Sequence, residues 1–312
     1  GYGVESTVLD AQGVKQMFPA MNTEPYPEYN PETGEETGRV FGELSALYEK
    51  GCGHLDSSSC LEDMLEACKR EGVVYRFNSP VHSVLQSGGK ATGVKLADGS
   101  EIKAGVVVNC MGPWFRQLNE TVGVQTSTQM LPTRIQVGHI SIENEEHLSL
   151  PFTADAHGAS GIYYMPRRAN KQLVFGSVDH RFESEIVEKP DELNTSLDSH
   201  VEADYLGCLL HRLPTLPRAG KVIGFSSMYT VNQDDVHPVI GESSLKGFFL
   251  CNGFSGHGFK LSPAVGAMVA QQITGTKAGP GSRMADWETT CPIDFMAANR
   301  TPLKLKIKTH FA

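Results

Sequence analysis

Apolar positions recur along this chain with two periods, and the period changes where the architecture is expected to change. Leu61, Met64, Leu65 and Cys68 fall at helical spacing, which predicts the apolar stripe of an amphipathic helix. Ser57, Ser58 or Ser59 is expected to cap its start. Lys69 and Arg70 sit in its last turn, where the helix dipole favours cations, and Gly72 ends it. Strand-like runs follow at 73–77, 80–85 and 93–96, with turns at Gly88-Gly89 and Asp98-Gly99. Residues 106–112 (VVVNCMG) are nearly continuous in apolar character, which predicts a strand buried on both faces. A helix around 114–118 comes next.

Beyond residue 125 the character changes. Runs at 131–142, 161–165 and 172–178 predict strands of an antiparallel sheet, and 198–213 predicts a helix closed by Pro214 and Pro217. From residue 233 an α/β pattern returns. Residues 247–252 predict a buried strand, followed by a glycine-rich turn and a small-residue helix over 261–273 that ends at Gly275. Residues 21–38 (MNTEPYPEYNPETGEETG) predict an exposed loop, and the tail after Gly279 is expected to be irregular. The fold class expected is α/β plus α+β, with an antiparallel sheet inserted between two α/β stretches. The expected segments are 1–50, 51–124, 125–232, 233–285 and 286–312.

Composition narrows the function. The 312 residues carry a net charge of −9, which argues against a nucleic-acid partner, because phosphate binding wants a basic surface. One local cation still suffices for a small anionic or zwitterionic ligand. No apolar run approaches the roughly 18 residues a membrane span needs, and no secretory leader is visible. The chain starts at Gly1 rather than Met. Seven cysteines (52, 60, 68, 110, 208, 251 and 291) are odd in number and widely spaced, with no CxxC. That pattern predicts free thiols in a reducing intracellular compartment, cytoplasm or organelle matrix, with neither a disulfide framework nor a metal site. The N-x-S/T triplets at Asn119, Asn194 and Asn299 are of the kind that arise by chance.

One segment carries candidate chemistry: Gly253-Phe254-Ser255-Gly256-His257-Gly258-Phe259-Lys260. A buried strand runs into three glycines within six residues and then into a helix. Glycines let a backbone approach a flat ligand closely. The helix N-terminus offers unpaired N–H groups and about half a positive charge, and Lys260 adds a full one. An anionic centre is expected here; the plainer reading is a strand-to-helix turn with a solvated lysine. The order Gly-x-x-Gly-x-Gly differs from the Gly-x-Gly-x-x-Gly of a dinucleotide fold.

GFSGHGFK followed by a small-residue helix resembles the C-terminal flavin motif of the D-amino-acid oxidase superfamily, in particular its sarcosine oxidase and dimethylglycine dehydrogenase branch. Further likenesses run in order along the chain: Gly53-His-Leu-Asp with its helix, Val107-Val-Asn-Cys-Met-Gly-Pro-Trp, Tyr163-Tyr-Met-Pro, Leu173-Val-Phe-Gly, and Met228-Tyr-Thr before His237-Pro-Val-Ile-Gly. The resemblance implies a partial FAD-binding domain, Rossmann-like and three-layered, at 51–124 and 233–285. It implies a substrate domain at 125–232, with 1–50 a further portion of it and 286–312 a C-terminal tail. It implies an FAD-dependent oxidoreductase that takes a hydride from the carbon beside the nitrogen of a secondary or tertiary amino acid.

Position by position, the resemblance puts Gly253, Phe254, Ser255, Gly256, His257, Gly258, Phe259 and Lys260 along the flavin. It puts the backbone of Val81 at the adenine, and Met111 and Gly112 near the ribityl and pyrophosphate. Lys260 also pairs with the substrate carboxylate, His257 sits beside flavin and substrate, and Tyr229 and Tyr163 close the pocket. Without the family, Val81 and Met111 read equally as core, Tyr163 and Tyr229 as sheet aromatics, and His180 as a loop histidine.

Three departures qualify the resemblance. The chain holds no Gly-x-Gly-x-x-Gly, so the nucleotide grip is expected from an upstream segment or another subunit. A non-catalytic assembly or structural subunit that kept the fold is the alternative this opens. Ser227 stands where monomeric sarcosine oxidases carry the cysteine that bonds to flavin, so FAD is expected to be non-covalent through this chain. Val174 stands where those oxidases carry a lysine that assists reaction with oxygen, and Lys171 is out of register; this leaves room for a dehydrogenase.

Overall fold

The computed structural model describes residues 4–177, 185–217, 221–275 and 296–304. His180 and Cys291 therefore lie outside the described residues, as does most of the expected tail. The chain divides into two compact units, one of Gly1–Asp56, Ile135–Glu185 and Asn194–Ser227, the other of Ser57–Arg134, Ile186–Leu193 and Met228–Ala312. No described helix is long and apolar enough to cross a membrane.

The first unit is built on an antiparallel sheet. The five-stranded sheet of the chain runs in the order Ile223–Asn232, Met130–Ser141, Gln172–Ser177, Ile162–Arg167, Thr153–Asp155. Alternation along Ile162–Arg167 buries Ile162 and Tyr164, and in Gln172–Ser177 it buries Leu173 and Phe175. The helix Ser199–Arg212 supplies the facing layer through Val201, Tyr205, Cys208 and Leu209. Tyr205 meets Phe175 edge-on at 6.3 Å. A two-stranded ribbon, Ser6–Asp10 against Ser45–Glu49, and the short helix Ala11–Met17 complete the unit. Asp10 Oδ1 caps that helix by accepting from the Gly13 N–H at 2.7 Å. The sequence predicts neither ribbon strand, because the helix Ala11–Met17 and a long loop separate them and no hairpin signal joins them.

At the end of this sheet lies a buried ion pair. Arg212 Nε donates to Asp155 Oδ2 at 2.8 Å and Nη2 to Oδ1 at 3.2 Å, with side chains 5% and 6% exposed. The same guanidinium donates to the Asn22 carbonyl. Helix, sheet edge and N-terminal loop thus share one charge.

The second unit holds a meander, Val81–Ser87, Lys90–Leu96 and Glu101–Lys103, and a three-stranded mixed sheet. In the mixed sheet Phe248–Asn252 pairs in parallel with Val107–Asn109 and antiparallel with Val239–Glu242. The turns at Gly88-Gly89 and Asp98-Gly99 fall where predicted. The core gathers Val107, Phe115, Leu118, Val239, Phe248 and Leu250. A second buried ion pair, Asp235 with Arg300, ties residues 296–304 to this unit, helped by the Leu303 N–H, which donates to Asp235 Oδ2 at 2.8 Å. Burial works to raise the Asp235 carboxyl, but the bonds from Arg300, Leu303 and His237 outweigh it and hold it below the ordinary aspartate value.

Three expectations in this unit are corrected. Residues 73–77 form no strand: Val74 is 81% and Phe77 68% exposed, and no described segment offers their backbone a ladder. Residues 106–112 are not buried on both faces, since in Val107–Asn109 the first and last residues are buried while Val108 is exposed. The helix Ser57–Arg70 forms, yet Leu61 and Met64 on its apolar stripe are exposed, and it begins at Ser57 itself, so Ser58 and Ser59 lie inside the first turn.

Arg212→Met is expected to lower stability by about 3–5 kcal/mol, because Asp155 is left charged and unpaired in the interior. Differential scanning calorimetry would register this as a lowered melting transition. An unchanged transition would reject the ion pair as a stabilising contact.

Candidate active-site cleft

The site begins where two parallel strands end. Asn109 and Asn252 close the strands Val107–Asn109 and Phe248–Asn252 and are 0% and 1% exposed. Their amides complete the hydrogen bonds the ladder can no longer make. Asn252 Nδ2 donates to the Asn109 carbonyl at 2.8 Å, and Asn252 Oδ1 accepts from the Gly112 N–H at 3.0 Å. Asn109 Oδ1 accepts from the Met111 N–H at 3.0 Å, and Asn109 Nδ2 donates to the Phe115 carbonyl and to Asn119 Oδ1. The network satisfies both strand ends and anchors the Gly112–Trp114 turn and the helix Phe115–Glu120 behind it.

Beyond Asn252 the chain makes a tight, buried turn. Gly253, Ser255 and Gly256 have φ of 78°, 48° and 90°. A Cβ on Gly253 would meet Met130 Sδ at 2.4 Å, and one on Gly256 would meet the Tyr229 ring at 3.0 Å. Both glycines are thus required by the turn and its packing. Ser255, which has a Cβ in the left-handed region, is held by two bonds: its N–H donates to the Thr230 carbonyl and its Oγ accepts from the Asn232 N–H, each at 3.0 Å. Such a residue carries strain of order 1–3 kcal/mol, which the surroundings must offset.

The helix Gly258–Thr274 starts directly from this turn, three residues before the predicted start, and ends at Gly275 in the left-handed conformation. His257 occupies its cap position with no side-chain cap bond. Pro263 lies inside the helix and lacks an N–H; Ser262 Oγ donates to the Phe259 carbonyl at 3.0 Å, which supplies the donor Pro263 cannot.

Strand ends, turn and helix surround a cleft of about 780 Å³, the size range of small-molecule sites. Of the residues singled out in the sequence, Gly112, Tyr229, Gly253, Phe254, Ser255, Gly256, Gly258 and Phe259 line it. Val81 and Met111 pack instead against the core of the unit. His257 is buried at 5% exposure, and Lys260 is exposed on the first helical turn. Tyr163 belongs to the other unit, where its ring lies over Gly176 and stacks on Phe152 with centroids 6.0 Å apart.

Among the other lining residues, Thr230, Cys110 and Cys251 carry a hydroxyl or thiol that sequence alone does not point to. Thr230 is 7% exposed, and its Oγ1 has no hydrogen-bond partner among the described residues. It follows Tyr229 in a motif whose tyrosine alone drew notice. Cys110 and Cys251 follow the paired strand ends and both line the cleft. The neighbouring Cys251 thiol lowers the Cys110 thiol against the opposing effect of burial, and the same neighbour, with burial, pushes Cys251 up. Strand pairing, invisible in sequence spacing, makes them neighbours. The described residues hold no cluster of three or more His, Cys, Asp or Glu side chains able to take a metal.

Residues 1–272 match the family model described as DAO, FAD dependent oxidoreductase. The chain is 26% identical over 281 residues to monomeric sarcosine oxidase of Streptomyces avermitilis, covering 88% of this chain and 66% of that protein. It is 21% identical over 287 residues to human mitochondrial dimethylglycine dehydrogenase, covering 87% of this chain and 30% of that protein. The fold is similar to that of L-proline dehydrogenase from P. horikoshii, with a TM-score of 0.70 at 18% identity over 96% of this chain and 69% of that one. The chain thus spans about two thirds or less of these relatives.

Asn252→Ala strips the Asn109 carbonyl of a donor and the Gly112 N–H of its acceptor. The expected cost is about 1–3 kcal/mol, read as a lower midpoint in urea denaturation. Wild-type stability in this variant would mean that the strand ends do not depend on the amide.

Proposed function

The chain belongs to the DAO family of FAD-dependent oxidoreductases, and on that premise we propose that the whole protein oxidises the C–N bond of a secondary or tertiary amino acid, with the second unit supplying the flavin-ring end of the site. The observation that carries this reading is the cleft itself. A strand, a buried turn with three positive-φ residues and a helix N-terminus open on it, and its wall is largely apolar side chains and glycine backbone. A flat, largely apolar ring with polar edges fits this set, and FAD has one.

Bound there, FAD would supply the hydride acceptor. The chain's own residues do the rest. The main chain of Gly253 to Phe259 would hold the ring, and Gly112 the ribityl side. Val81 and Met111, which pack in the core, would contribute backbone only. The helix N-terminus favours negative charge beside the turn. Lys260 Nζ, exposed on that turn, would hold the substrate carboxylate and so fix the α-C–H for transfer. His257 would back the turn from its buried position, and Tyr229 would wall the substrate. The iminium product is hydrolysed by water.

Two finer points belong to the same reading. Ser227 has no thiol, so the flavin is non-covalent through this chain. Val174 in place of a lysine favours a dehydrogenase with an acceptor other than oxygen. An intracellular setting is part of the reading, supported by the free thiols of the six described cysteines.

Lys260→Met in the whole protein is expected to raise KM for an N-methyl amino acid about 10- to 100-fold, the worth of one charge-assisted bond, with a smaller change in kcat. Steady-state kinetics with sarcosine or dimethylglycine, set against the matching amines without a carboxylate, would check it. Unchanged saturation by the amino acid rejects the carboxylate role.

A further inference from the structure

The two cysteines of the cleft are distant in sequence and adjacent in space. In the parallel ladder Leu250 stands opposite Asn109, and the next step along both strands brings Cys251 opposite Cys110. Both side chains emerge on the cleft wall, on the same face as Val108. One residue further, Asn252 binds the Asn109 carbonyl and the Gly112 N–H, so the spacing of the strand ends is held on both sides of the pair. Neighbouring strands lie about 4.8 Å apart, within the roughly 4.4–6.8 Å between Cα atoms that a disulfide spans. Cys110 is exposed and Cys251 half-buried.

We propose that Cys110 and Cys251 form a modification site on the cleft wall, a dithiol that a hydroperoxide closes to an intrachain disulfide. The roles are unequal. Cys110 is the exposed thiol of the pair and Cys251 the half-buried one, so Cys110 meets the oxidant first and, as its thiolate, is the nucleophile. The Cys110 thiolate attacks the terminal peroxide oxygen, the O–O bond breaks, and hydroxide leaves and takes up a proton as water. Cys110 is then a sulfenic acid. Cys251 sulfur attacks the Cys110 sulfur, the S–OH bond breaks, and the hydroxyl leaves as a second water with the proton from Cys251. Two thiols and one hydrogen peroxide give one disulfide and two waters. The site needs only these two strand ends, so it stands whether or not the cleft takes a flavin.

The test treats the full chain with hydrogen peroxide, blocks remaining thiols with N-ethylmaleimide, and maps the digest by mass spectrometry without reduction. The expected result is a linked pair of peptides containing Cys110 and Cys251, two hydrogens lighter than their sum and separated by dithiothreitol. Maleimide on both residues, or a disulfide from Cys110 to another cysteine, would overturn the proposal. In Cys251→Ser, Cys110 is expected to run on to the sulfinic acid; in Cys110→Ser, Cys251 is expected to stay open to maleimide. The linked peptides of the unaltered chain decide the question even where a variant fails to fold.

Discussion

Parallel strands that stop in mid-protein leave carbonyls and N–H groups with no ladder partner, and in the second unit two buried asparagines take up that demand. Asn252 bridges both strand ends, and Asn109 reaches from its strand end to the helix behind it. Because these groups are satisfied internally, the chain can turn sharply on both sides without burying an unpaired amide. The turn at Gly112 and the turn at Gly253–Gly256 both start from this point. The cleft is the space they leave between them.

Much of this was legible along the chain, because the strongest periodic signals and terminators act locally. The strand Phe248–Asn252, the glycine turn, the following helix and its stop at Gly275 were all predicted. So were the strands Met130–Ser141, Ile162–Arg167 and Gln172–Ser177, and the helix Ser199–Arg212. What failed depended on partners. Residues 73–77 have strand composition but no described segment to pair with, and the valines at 106 and 108 face outward because only one side of their segment meets the core. The ribbon of Ser6–Asp10 with Ser45–Glu49 joins residues too far apart for a turn signal to announce.

The candidate site was legible in outline, and the packing of its turn and the pairing of its strands were not. The glycines were expected to make room for a ligand; Gly253 and Gly256 first make room for Met130 and Tyr229 and permit the left-handed turn. The polar lining that local sequence signals do not announce comes from side chains that pairing brings in. Thr230 lies on a strand end packed against the turn through the Ser255 bond, and Cys110 meets Cys251 only through the parallel register.

The central claim is that this cleft holds the flavin ring of an amine-oxidising protein. The visible absorption spectrum of the whole protein, purified without denaturation, tests it most directly. The account predicts flavin bands that bleach when an N-methyl amino acid is added in the absence of an electron acceptor. A colourless protein that takes up no added FAD would contradict it.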